Sequence, residues 1–283
     1  MSRLELLFAI LALSAVSCSK GDVFPEVSGK YDTLFATMEQ GGSEADTKVY
    51  LGEDIKFHWN AGDNISFFNK EMYNYQYVFK GEDGDRSGEF DKVKTVFHSK
   101  EEIEHVYAVY PYSRSTSISD EEVLTIILPS EQEYAVSSTG AGANTMVSAG
   151  DDENLYFRNV CGYICFKLCG EGVKVSSVTL QGNGNEIISG SANVTMEPGG
   201  YPEATMSDGG GSGITVSCPS PVSLDPLEPV QFWFVVPPVS FSSGFSITVK
   251  DPEGRTFVKS TSKSFDIRRN VITRIAPIEV IPE

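Results

Sequence analysis

The sequence has little positive charge, little histidine and few tryptophans. Its 283 residues include 22 lysines and arginines against 39 aspartates and glutamates, so the formal net charge is −17. A protein of this charge has no surplus of cations with which to displace counterions from a phosphate backbone, which excludes nucleic acid as the expected partner. Strong acidity is typical of an exposed particle that repels its neighbours until a specific contact forms.

The sequence also lacks the short motifs of common catalytic sites. It contains no Gly-x-Ser-x-Gly, no Gly-x-x-x-x-Gly-Lys and no His-Glu-x-x-His, and its three histidines are His58, His98 and His105. Acidic runs such as residues 151–153 are typical of a solvated surface in so acidic a chain. We therefore expect no enzyme, no bound metal and no cofactor.

Long apolar runs are confined to the first residues. Residues 1–17 combine one early arginine, a short apolar core and small residues before Cys18, which predicts an export signal. The core is too short to span a bilayer in the mature protein. The residues before Cys18 resemble a bacterial lipoprotein box. We therefore expect Cys18 to be lipidated, for example with palmitate, and to anchor the protein at the cell outer membrane. An ordinary signal peptide cleaved nearby is the alternative.

Most of the remaining sequence predicts short β-strands. Runs such as residues 73–80, 123–129 and 230–238 are apolar or alternate with period two, and turn residues separate them. No long helix is predicted, so the fold class is all-β, with two tandem β-sandwiches. The small, polar span 137–154 predicts the boundary. We expect a lipidated N-terminus, first strand and linker over 18–48, one domain over 49–150 and the other over 151–283.

Three of the five cysteines, Cys161, Cys165 and Cys169, are spaced four residues apart. The β-branched and aromatic residues around them favour a strand, in which cysteines four apart stand about 13 Å from one another. That separation is too large for a disulfide between them. We expect small buried thiols, and a disulfide from one of them to Cys218 stays open.

The alternating tyrosines Tyr73, Tyr75 and Tyr77 would share one face of a strand. Such a stripe packs in the core of a sheet that has one covered face. If exposed, it would be an aromatic platform for sugars. A standalone surface lipoprotein that binds glycans through these tyrosines is therefore the alternative function.

Several motifs, in order along the chain, resemble the fimbrillins, the subunits of type V pili and their Mfa-like relatives. The resemblance runs from about residue 33 to the C-terminus. The motifs are Trp59-x-x-Gly62-Asp63-x-Ile65, Ala108-Val109-Tyr110-Pro111-Tyr112, Leu128-Pro129-x-x-Gln132, Phe157-Arg158-Asn159, Val236-Pro237-Pro238 and Arg269-Asn270.

The resemblance implies two tandem transthyretin-like β-sandwiches and display on the cell surface in a fimbrium. It also implies cell adhesion, with other fimbrial subunits as partners and host or bacterial surface ligands as further candidates. Assembly would proceed by donor-strand exchange, in which a removed first strand is replaced by a strand of the next subunit. The removable strand would be Thr33, Leu34, Phe35, Ala36, Thr37 and Met38, and the donor strand would contain Ile278, Val280 and Ile281.

The linker after the first strand departs from the fimbrillin pattern. Fimbrillins of this kind are cleaved after an arginine in the linker, but no arginine lies between Arg3 and Arg86. Lys48 stands where the arginine would be, at the end of the polar segment 39–48. We therefore expect either cleavage after Lys48 or an anchor or accessory subunit that keeps its first strand.

Overall fold

A computed structural model of the chain describes residues 31–40, 56–94 and 102–281. All regular structure in these ranges is β, so the predicted fold class is confirmed at this level. None of the described residues belongs to a helix long and apolar enough to cross a membrane.

Twenty-two strands follow one another along the described chain. The first eleven are Thr33–Met38 (β1), Asn64–Glu71 (β2), Tyr75–Phe79 (β3), Ser87–Lys92 (β4), Glu102–Tyr110 (β5), Ser117–Ile118 (β6), Leu124–Leu128 (β7), Glu131–Glu133 (β8), Met146–Gly150 (β9), Asn154–Asn159 (β10) and Gly162–Cys169 (β11). The others are Lys174–Gly182 (β12), Gly190–Thr195 (β13), Glu203–Met206 (β14), Gly213–Ser223 (β15), Val230–Val236 (β16), Val239–Phe241 (β17), Phe245–Lys250 (β18), Thr256–Thr261 (β19), Phe265–Ile267 (β20), Ile272–Arg274 (β21) and Ile278–Glu279 (β22).

The largest sheet has seven strands and closes on itself. Its order is β1-β10-β9-β5-β2-β3-β4, and β4 pairs back with β1. β10, which follows residue 150, belongs to this sheet as the neighbour of both β1 and β9. The first closed sheet therefore extends past residue 150, where the sequence predicted the second domain to begin.

Smaller sheets make up the rest of the fold. One has the order β16-β11-β21, with β22 also on β11, and a second has the order β19-β18-β12-β15-β8. A third has the order β14-β13-β7-β6, and β17 pairs with β20. Strands β6, β7 and β8 precede residue 150 but pair among themselves or with later strands, so the two halves of the chain are joined by sheet hydrogen bonds.

Two hydrophobic cores lie on opposite faces of strand β11. Tyr163 and Cys165 belong to the core of the closed sheet, whereas Ile164, Phe166 and Leu168 belong to the second core. Because side chains alternate across a strand, β11 supplies one set of residues to each core. This is why the segment is apolar almost throughout rather than alternating with polar residues.

The cysteine-rich segment is a strand, as its composition predicted. Cys161 and Cys165 are buried, and Cys161, Cys165, Cys169 and Cys218 are all free thiols in the described structure. Burial raises the pKa of Cys161 to about 12 and that of Cys165 to about 11. These two thiols are therefore protonated, unreactive members of the core.

The tyrosine stripe points inwards. Tyr75 and Tyr77 are fully buried in the closed sheet, and Tyr73 packs its ring against Tyr75 with the ring centroids 4.7 Å apart. Trp59 and Trp233 are buried as well. A glycan platform needs exposed rings, and the inward face of β3 does not offer Tyr75 or Tyr77 to a ligand.

Candidate functional site

Strand β1 completes the closed sheet by lying between two strands that do not pair with each other. It runs parallel to β10, with Ala36 opposite Leu155, and antiparallel to β4, with Ala36 opposite Gly88. A backbone hydrogen bond at each end fixes it to β10: Phe35 N–H donates to Glu153 O and Glu39 N–H donates to Phe157 O. Removing β1 would therefore create two free sheet edges at once.

The residues of β1 alternate between the core and the surface. Leu34, Ala36 and Met38 are buried in the core of the closed sheet, whereas Phe35 is 45% exposed. Burying a leucine or methionine side chain stabilises a fold by about 1.5–3 kcal/mol. The sequence predicted a strand over these residues, and its inward side chains fill a slot that would be empty without them.

The residue directly after β1, Glu39, has a buried carboxylate. Glu39 is 2% exposed, and its Oε2 accepts hydrogen bonds from Arg269 Nη1 at 2.7 Å and from the backbone N–H of Asn159 at 2.9 Å. Its Oε1 lies 3.6 Å from Arg158 Nη1. One carboxylate thus bridges β10 and the segment before β21.

Asparagines extend this ion-pair cluster on either side of β1. Asn159 Nδ2 donates to Asn270 Oδ1 at 2.9 Å, and Asn270 Nδ2 donates to the backbone oxygen of Gln40 at 3.1 Å. The side chain of Gln40 in turn donates to the backbone oxygen of Phe57 and accepts from its backbone N–H. Gln40, the first residue after Glu39, is therefore held by the side chain of Asn270 and by the backbone of Phe57.

The network continues into the core through Asn144. Asn144 Nδ2 donates to Asn159 Oδ1 at 2.7 Å, and the hydroxyl of Tyr163 donates to Asn144 Oδ1 at 2.9 Å. Burial raises the pKa of Tyr163 well above its ordinary value, with Cys161 and Glu39 contributing in the same direction. The hydroxyl therefore stays protonated and keeps its role as donor.

Two tyrosine rings cover the arginines from the outside. The guanidinium carbon of Arg158 lies 4.4 Å from the ring centroid of Tyr156 and 4.5 Å from that of Tyr201. That of Arg269 lies 4.6 Å from the Tyr201 centroid. Both guanidinium groups are thus held by cation–π contacts as well as by Glu39.

Sequence reasoning missed Glu39. It placed this residue in a polar linker over 39–48, because an acidic residue followed by glycines is typical of a linker. An acidic residue directly after an apolar strand was the available signal. Arg158, Asn159, Arg269 and Asn270 were noticed as members of two separate motifs, and the structure brings these motifs together around Glu39.

The other predicted site residues fall in different places. Cys18 and Lys48 lie outside the described residues. Ile278 lies in β22 opposite Leu168 of β11, Val280 is buried in the second core, and Ile281 is 61% exposed. The predicted donor strand is therefore paired with β11 of the same chain in this structure. Within the described ranges, no group of three or more His, Cys, Asp or Glu residues is placed to hold a metal ion.

No protein-family model matches the sequence, and no curated protein matches it either. Solved structures do match. A candidate cell adhesion protein from Bacteroides ovatus superimposes with a TM-score of 0.51 at 11% identity, over 87% of this chain and 91% of that chain. A candidate cell adhesion protein from Bacteroides uniformis gives 0.44 at 17% identity, over 83% and 88%.

A fimbrial protein from Bacteroides ovatus gives a TM-score of 0.36 at 15% identity, over 88% of this chain and 50% of that chain. We compare folds only with the Bacteroides ovatus candidate cell adhesion protein, whose TM-score is 0.51, and its 11% identity limits the likeness to the fold. The chain therefore has the fold of a Bacteroides candidate cell adhesion protein, in agreement with the resemblance of its motifs to the fimbrillins.

Proposed function

We propose that the protein is a surface subunit or accessory component of a fimbrium that serves cell adhesion and assembles by donor-strand exchange. The observation that carries the proposal is the position of β1, which lies between β4 and β10 and closes the first sheet. β1 is the first strand described, and its loss would leave the pairing of all later strands unchanged.

The vacated position would favour an incoming strand for two physical reasons. The edges of β4 and β10 would each present unpaired backbone N–H and C=O groups, which an added strand satisfies. The slot now filled by Leu34, Ala36 and Met38 would expose apolar surface until other side chains covered it. A donated strand with apolar residues at every second position would meet both needs.

The finer parts of the proposal follow from the sequence and from the fimbrillin resemblance. The two cores would belong to tandem transthyretin-like sandwiches. Cys18 would be lipidated and would anchor the protein at the outer membrane, cleavage after Lys48 would release β1, and the donor strand would contain Ile278, Val280 and Ile281. Its partners would be other fimbrial subunits.

Comparing two unlipidated chains tests the proposal. One begins at residue 31 and keeps β1, and the other begins at Val49 and lacks it. We expect the shorter chain to form oligomers that resist heating in detergent, and the longer chain to stay monomeric on a sizing column. A shorter chain that is folded and monomeric would contradict donor-strand exchange.

Mass spectrometry of the protein taken from the cell surface identifies its N-terminus and completes the test. A chain that begins at Val49 supports a polymerising subunit that has shed β1. A chain that begins at lipidated Cys18 supports an anchor or accessory subunit that keeps β1.

A further inference from the structure

The binding site for the Glu39 carboxylate is built from residues that lie outside β1. Arg158 and the backbone N–H of Asn159 belong to β10, and Arg269 lies between β20 and β21. The site would therefore remain when β1 leaves.

The site brings two guanidinium groups to the one carboxylate of its occupant. Two guanidinium groups share the single carboxylate of Glu39, with side-chain exposures of 20% for Arg158 and 13% for Arg269. Arg158 Nε is also buried and makes no hydrogen bond in the described structure. Removing the negative charge of Glu39 from beside these two groups is costly, because little water reaches them. A neutral residue at this place would be disfavoured, and a basic residue still more so.

The arginines are also held in position before any ligand arrives. The guanidinium group of Arg158 lies over the rings of Tyr156 and Tyr201, and that of Arg269 also lies over the ring of Tyr201. None of these residues belongs to β1. A binding group that is already held in place loses less conformational entropy on binding, so the site is suited to selecting a carboxylate.

We propose that Arg158 and Arg269 form a carboxylate-recognition site that selects the strand filling the β1 position. The incoming strand must carry apolar residues at positions i, i+2 and i+4 and an acidic residue at i+5, as β1 does with Leu34, Ala36, Met38 and Glu39. This inference rests on the proposed exchange of β1 and adds a chemical requirement on the partner.

The occupant is a second copy of this chain, through its C-terminal run. Residues 278–283 read Ile-Glu-Val-Ile-Pro-Glu, so that Ile278, Val280 and Pro282 stand at i, i+2 and i+4 and Glu283 stands at i+5. Aligned on β1, Val280 takes the place of Ala36 and Glu283 takes the place of Glu39. The run would have to leave β11 of its own subunit to bind in this way.

Peptide exchange tests the proposal in the full-length protein. A protease site inserted within residues 41–55 is cut, and labelled peptides are then added in excess. The peptides are residues 31–40 and residues 274–283, each with Glu or with Gln at the i+5 position, and all amidated so that no terminal carboxylate competes. Fluorescence anisotropy measures binding.

We expect each Glu peptide to bind at least tenfold more tightly than its Gln counterpart. The preference for Glu over Gln should vanish in an Arg269→Gln protein and persist in an Arg268→Gln protein. Arg268 is exposed, and its replacement removes the same charge one residue away from the site. Equal binding of Glu and Gln peptides would overturn carboxylate recognition while leaving strand exchange intact. Binding of the β1 peptide alone would overturn the second copy as the occupant.

If no peptide binds at all, strand exchange is overturned. Hydrogen exchange in the uncut protein then tests separately whether the carboxylate of Glu39 holds β1. The amides of β1 should exchange at least tenfold faster in Glu39→Gln than in Glu89→Gln, which removes an exposed acid from neighbouring β4. Equal exchange rates would show that Glu39 does not hold β1, whatever the peptides do.

Discussion

The side chain of Gln132 forms both hydrogen bonds of a backbone pair with Val235, 103 residues later in the chain. Its Nε2 donates to Val235 O at 2.7 Å, and its Oε1 accepts from Val235 N–H at 3.0 Å. β16 is the edge strand of its sheet, so no strand pairs with Val235 on the side away from β11. The side chain of Gln132 makes the hydrogen bonds that a further strand would make there. The glutamine of the Leu-Pro-x-x-Gln motif thus joins β8 to β16.

Replacing Gln132 with leucine should destabilise the protein. The change leaves the N–H and C=O of Val235 without their partners in a buried place, and each unsatisfied group costs about 1–3 kcal/mol. For the two groups together, we expect the free energy of unfolding to fall by about 2–6 kcal/mol. Urea unfolding followed by tryptophan fluorescence measures it. Gln181→Leu, an exposed change on β12, is the control and should have little effect, and an equal loss in both variants would contradict the role of Gln132.

Asn270 combines a left-handed backbone with two side-chain hydrogen bonds, one buried and one partly buried. Its φ is +55°, and its side chain bonds to Asn159 and to the backbone of Gln40. Asn270→Gly removes the bonds but tolerates this φ, so we expect a loss of about 1–3 kcal/mol in the free energy of unfolding. Asn270→Ala removes the bonds and adds strain, so it should cost about 1 kcal/mol more than glycine.

Asn185 provides the matched control for backbone strain alone. Its φ is +58° and it is exposed. Asn185→Gly should leave stability almost unchanged, and Asn185→Ala should cost about 1 kcal/mol. Chemical denaturation of the four variants measures all of these differences. If Asn270→Gly were as stable as the unchanged protein, the hydrogen bonds at the end of β1 would have no net stabilising effect.

The alternation of apolar residues predicted the strands but not which side of a sheet is covered. Period two placed Tyr75 and Tyr77 on one face and left both a core and a glycan platform open, and the face is buried because strands far apart in sequence close the sheet behind it. Pairing of β6–β8 with later strands is likewise set by long-range contacts that local patterns do not contain. Glu39 was missed for a related reason: its arginines lie 119 and 230 residues away, and only the fold brings them close.

Chemical labelling should distinguish the buried cysteines from the others. Because burial raises the pKa values of Cys161 and Cys165 to about 12 and about 11, few of their thiols ionise at pH 8, and reagents reach them slowly. We expect iodoacetamide to modify partly buried Cys169 well before these two in the native protein. In denaturant, all three should react alike. Peptide mapping by mass spectrometry measures the order, and a disulfide to Cys218 or early labelling of Cys161 would contradict it.

The stability of the closed sheet should depend on pH through His105. Its Nδ1 lies 2.8 Å from Asp151 Oδ1, and this hydrogen bond raises the pKa of His105 above its ordinary value, with Glu122 and Glu104 adding to the effect. A histidine whose pKa is raised by folding stabilises the fold most below its unfolded pKa of about 6.5. That stabilisation is lost as the pH rises through the raised pKa of the folded state.

Replacing Asp151 with asparagine should therefore matter most at low pH. We expect the unchanged protein to exceed Asp151→Asn in free energy of unfolding at pH 5.5–6 and to lose this advantage by pH 8.5, as measured by urea unfolding across that range. Asp152→Asn is the control, because Asp152 bonds to the backbone N–H of Asn154 rather than to a histidine. Any cost of the control should be the same at each pH. A constant difference between the unchanged protein and Asp151→Asn would show that the carboxylate does not act through the charge of His105.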